Sequence, residues 1–89
     1  MYFMLNIGDI VLAVAGRDSG RFFIVVGIAG ENCVFMADGR SRKIESPKKK
    51  KTKHIKLMKK SGGSLKFTNA ALRKAISEYL PDSVNVNSV

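Results

Sequence analysis

The 89 residues carry sixteen Lys plus Arg against seven Asp plus Glu, a formal net charge of +9. A folded chain of this length buries only somewhat over ~60% of the surface its unfolded form exposes, so it holds one small core and little room for a large substrate cleft, which argues against a sizeable enzyme. An apolar fraction of 45% is too high for a wholly disordered basic tail, so the charge belongs to a folded domain.

The start Met-Tyr-Phe-Met-Leu shows no basic leader followed by a long apolar stretch, and one cysteine, Cys33, cannot form an intramolecular disulfide. Both features predict an untargeted cytoplasmic protein. No apolar run approaches the ~18 residues needed to cross a bilayer, because Gly16-Arg17-Asp18-Ser19-Gly20-Arg21 interrupts the stretch from Asp9 to Gly30, so no membrane span is expected.

The first half reads as short strands and tight turns, rich in Val, Ile and Phe and bounded by Gly and Asp. Ile10-Val11-Leu12-Ala13-Val14 is a first strand, with Ile10, Leu12 and Val14 on one face and Val11 and Ala13 on the other. The loop 16–20 follows, where Asp18 can bond backbone amides and Gly20 can take the positive φ of a tight reversal. Arg21 to Ile28 is a second strand and the hydrophobic centre, with Phe22, Ile24, Val26 and Ile28 on one face and Phe23 and Val25 on the other. The near-continuous apolar run Ile10 to Val14 predicts burial on both faces of the first strand.

A turn at Gly30-Glu31-Asn32 leads to a strand from Cys33 to Ala37, and Asp38-Gly39 is a hairpin signal that predicts a returning strand from Arg40 to Glu45. Pro47 ends it, the lysine run follows, and His54 to Met58 offers a last strand with Ile55 and Leu57 on one face. About five such strands fit a small barrel, which removes the edges a small sheet would expose. Ser61-Gly62-Gly63-Ser64 is a flexible joint, and Thr68-Asn69 caps an amphipathic helix over Ala70 to Leu80 whose apolar face holds Leu72, Ala75, Ile76, Tyr79 and Leu80. The expected organisation is thus mainly β: a barrel domain over 1–60, a Gly/Ser-containing linker over 61–67, a C-terminal helix over 68–81 and a flexible tail over 82–89.

Eleven of the sixteen basic residues fall between Arg40 and Lys60, opposed only by Glu45, and the rest of the chain is close to neutral. The mutual repulsion of Lys48, Lys49, Lys50 and Lys51 is one that a polyanion relieves. Arg17 and Arg21 add two charges at the hairpin loop; if both sets share one side of the barrel they suit a phosphate backbone, where affinity comes largely from released counterions. The plain alternative is a solvated face retained for solubility. A lipid surface is a weaker option, since no apolar residue interrupts Lys48 to Lys51 to insert among headgroups.

The segment from Asp9 to Arg21 followed by an aliphatic strand resembles the KOW motif of ribosomal proteins and transcription elongation factors. The later Val34 to Arg40, Arg42-Lys43 and Pro47 to Ile55 are similar to bacterial KOW-domain RNA-binding proteins related to the fourteen-e-type large-subunit ribosomal proteins. The likeness runs from about Gly8 to Met58, and Asn69 to Tyr79 resembles the C-terminal helix of the bacterial members. It departs at Phe22-Phe23, where many KOW motifs carry a second glycine. The resemblance implies an SH3-like barrel and binding to ribosomal or other structured RNA.

The candidate RNA-binding residues are Arg17, Arg21, Arg40, Arg42, Lys43, Lys48, Lys49, Lys50, Lys51, Lys53, His54 and Lys56, with Gly20, Asp38 and Gly39 as structural turn residues. No catalytic residue, metal site or cofactor is expected: His54 has no partner at ligand spacing, Cys33 reads as a small core or edge residue, and the 16–21 loop lacks Gly-Lys-Ser/Thr and does not open a helix. Core service explains most of the aromatic residues Tyr2, Phe3, Phe22, Phe23, Phe35, Phe67 and Tyr79. The expected function is non-enzymatic RNA binding, with ribosomal RNA as first partner and no small-molecule substrate. The alternatives are a protein-interaction module of the transcription or translation machinery, docking through the barrel or helix, and a duplex-DNA-binding factor.

Overall fold

Short β-branched runs separated by tight turns build an antiparallel sheet in the computed structural model, which describes residues 5–61 and 65–80. The strands are β1 (Ile10–Ala13), β2 (Phe22–Gly30), β3 (Cys33–Ala37), β4 (Lys48–Lys51) and β5 (Ile55–Lys59), followed by a helix α1 (Asn69–Tyr79). The order across the sheet is β4-β3-β2-β1-β5. A single 3-10 turn, Thr52–His54, carries the chain from β4 to β5, and the Val14 amide donates to the His54 carbonyl beside it. The fold is mainly β and barrel-like, with one C-terminal helix, as the strand spacing predicts.

Alternation along the strands feeds two hydrophobic clusters. Val11, Ala13, Phe23, Val25, Val34, Met36 and Ile55 fill the inside of the sheet. Ile10, Ile24 and Ala37 point the other way and are covered by the fully buried Leu72 of α1, with Phe22, Val26, Ile76 and Tyr79 packed around them. β1 is therefore buried on both faces, as its near-continuous apolar run predicts, and so is the first half of β2 at Phe23, Ile24 and Val25. Val14 and Ile28, placed by period on apolar faces, are about half exposed: Val14 lies just past the end of β1 and Ile28 near the end of β2. α1 starts where expected: the Thr68 hydroxyl accepts the Ala71 amide, and the Phe22 and Tyr79 rings lie 5.9 Å apart.

One strand lies elsewhere than expected. Arg40 to Glu45 forms no strand, and the fourth strand is the lysine run itself, with Lys51, Lys50, Lys49 and Lys48 opposite Cys33, Val34, Phe35 and Met36. The Asp38 side chain causes the difference. Its Oδ1 accepts the Arg40 and Arg42 amides, each at 2.9 Å, while the Asp38 and Gly39 amides both donate to the Arg42 carbonyl. These bonds close the segment on itself and remove the donors a ladder needs. β4 is an edge strand, a position where lysines discourage pairing with another chain.

The tail over 82–89, part of the joint, and Tyr2 and Phe3 lie outside the described residues. Among the described residues no helix is long and apolar enough to cross a membrane.

Candidate nucleic-acid interface

The loop between β1 and β2 meets the basic segment at three points. The Arg42 guanidinium lies 3.1 Å from the buried Asp18 carboxylate. Arg21 donates to the Ser41 hydroxyl at 2.6 Å and lies 3.4 Å from Asp38, with its guanidinium 6.0 Å from the Phe23 ring centre. The Lys50 ammonium donates to the Ala15 carbonyl at 2.9 Å. The two basic sets of the sequence therefore lie side by side, and Arg17 is exposed on the loop that joins them.

The same contacts divide the candidate residues. Arg21, Arg42 and Lys50 are tied to acceptors of the fold, and Asp18, which the loop composition suggests as an amide acceptor, takes a guanidinium instead. Arg17, Arg40, Lys43, Lys49, Lys51, Lys53 and Lys56 are exposed, and their side chains have no ion pair among the described residues. Within β4 the pleat makes a second division. Lys48 and Lys50 share the face of Met36 and Val34 and are half-buried, so their methylene stems cover the edge of the core, whereas Lys49 and Lys51 stand exposed on the outer face. His54 is half-buried at the 3-10 turn.

α1 positions this region from behind. Arg73 donates to the Gly39 carbonyl, and Asn69 bridges the Ile44 amide and the Glu45 carboxylate. The Asn69 amide holds the exposed Glu45 carboxyl below its ordinary value, with the Glu45 backbone amide and Lys43 acting in the same direction. Gly39 is more than a turn residue: with φ at 80°, a side chain there would also run into the Asn69 carbonyl and the Arg73 stem. Gly20, at φ 89°, meets nothing nearby, so its requirement is conformational alone.

The sequence pattern did not single out Asp9, whose wholly buried carboxylate accepts the Asn6 and Ser61 amides at 2.8 and 2.7 Å and pairs with Lys60 at 3.1 Å. This anchor sits at the start of β1, away from the Arg17 loop. A cleft of about 410 Å³ lies beside it, lined by Gly8, Ile10, Ile24, Lys59, Tyr79 and their neighbours. Among the described residues no group of three or more His, Cys, Asp or Glu could hold a metal ion.

In comparisons with known proteins, no family model matches the chain and no curated protein is found to be significantly similar to it.

Proposed function

We propose that this chain is a non-enzymatic RNA-binding module of the cytoplasm that docks on structured RNA, ribosomal RNA first, through backbone phosphates. The observation that carries the reading is the packing of the Arg17 loop against the basic segment, in which Asp18 pairs with Arg42 and the Ala15 carbonyl takes Lys50. Such a field attracts a polyanion and gains affinity from the counterions it releases. The sheet order is compatible with the SH3-like barrel that the KOW resemblance implies, and that resemblance supports RNA over duplex DNA.

Docking of a partner protein on the apolar face of α1 is disfavoured, because Leu72 is fully buried and Ile76 packs into the same cluster. The test is the salt dependence of binding to a folded ribosomal RNA fragment. With about six phosphates neutralised, the logarithm of affinity falls with the logarithm of salt at a slope of roughly −4 to −5. Salt-insensitive binding, or duplex DNA bound as tightly at equal salt, overturns the reading.

A further inference from the structure

The described residues cover only part of the outer sheet face. α1 packs over Ile10, Ile24 and Ala37, and the same face of β3 continues past the helix with Phe35 and then Cys33. Phe35 belongs to neither hydrophobic cluster and is half-buried. Its cross-strand neighbours are Gly27 on β2 and Lys49 on β4, while those of Cys33 are Gly30 and Lys51. The ring lies directly over Gly27: a side chain there would stand 3.3 Å from Phe35 Cδ2 and 3.6 Å from its Cβ. One flank of the aromatic is thus level glycine backbone, and the other is a pair of exposed lysines.

We propose that this uncapped half-face is a stacking site for an unpaired nucleobase, with Phe35 as the platform and Lys49 and Lys51 holding the adjoining phosphates. The inference rests on the RNA-binding reading and adds a recognition element to it. Lys49 and Lys51 are two residue steps apart, about 6.7 Å along β4, which matches successive phosphates of an extended strand. A base stacked on an aromatic face gains affinity whatever its identity, because every base presents a π-face. Covering Gly27 is a task that any large apolar side chain performs. A stacking platform requires the aromatic ring.

The experiment compares a ten-nucleotide oligouridylate with an abasic ribose-phosphate oligomer of equal length and charge, using fluorescence anisotropy. The wild-type chain should bind the oligouridylate about 5- to 150-fold more tightly. F35L, which keeps an apolar cover on Gly27, should lose that preference while holding the abasic oligomer as before. F35W supplies a fluorophore to a chain that contains no tryptophan, and its emission should be quenched by the oligouridylate and not by the abasic oligomer. Circular dichroism and thermal melting of each variant establish that it is folded. Equal wild-type affinity for the two oligomers, or a preference retained in F35L, overturns stacking; if binding nevertheless falls when Lys48, Lys49 and Lys51 are neutralised, the phosphate-docking reading stands alone. Binding of neither oligomer nor ribosomal RNA overturns both.

Discussion

Arg42 and Lys49 belong to the same basic segment, yet the fold uses them differently. The Arg42 guanidinium is held 3.1 Å from a buried carboxylate of another loop, whereas Lys49 stands exposed on an edge strand with no acid paired to it among the described residues. The 38–45 loop is bound into a network in which its own Asp38, together with Asp18 of the β1–β2 loop and Asn69 of α1, satisfies amides and guanidinia. β4 is a row of like charges held by the ladder to β3, by apolar contact of the stems and by the one bond from Lys50 to the Ala15 carbonyl. Positive charge in the first region cements the structure, and in the second it is available to a ligand. A summed charge cannot distinguish these two uses.

The sharpest way to break the comparison is to remove the acid that organises the loop. D38A takes the acceptor from two backbone amides, Ser41 and Arg21 at once, and should destabilise the fold by about 3 kcal/mol in urea unfolding. G39A should follow at about 2 kcal/mol, read as a lowered melting temperature, because it imposes a left-handed backbone on alanine and pushes on the first turn of α1. Neutralising Lys48, Lys49 and Lys51 together should act in the opposite way. The melting temperature holds or rises as repulsion is relieved, while the salt slope of RNA binding becomes shallower by about 2 to 3. A large loss of stability in that variant would place β4 in the structural class with the arginines.

The smallest effect concerns Glu45, which joins the loop to α1 from a fully solvated position. Its folded-state carboxyl titrates below the ordinary 4.5, so its contribution is present above that value and is lost as pH falls through the lowered one. E45Q should therefore flatten the decline of melting temperature across that acid range, by lowering that temperature slightly at neutral pH and leaving it unchanged below the lowered value.

Much of the barrel was legible because its signals are local. The near-continuous apolar run Ile10 to Val14 predicted a strand buried on both faces, and the Leu72, Ile76, Tyr79 spacing behind Thr68 predicted a capped amphipathic helix. The fourth strand was misplaced because Asp38-Gly39 carries a hairpin signal whatever follows it, and four consecutive lysines have no alternation of residue type to betray a strand. Their alternation exists only as burial, created by β3 alongside.

By itself, the sequence determined a small mainly β domain with its positive charge concentrated in one segment, since period, turn chemistry and composition need no distant partner. The tertiary structure alone decided which cations are spoken for, because Asp18, Asp38 and Ala15 reach Arg42, Arg21 and Lys50 across long loops of chain. It also decided where the helix ends its cover and leaves Phe35 beside Lys49. Pairing energies depend on distance and burial, and neither quantity exists until the strands have folded together.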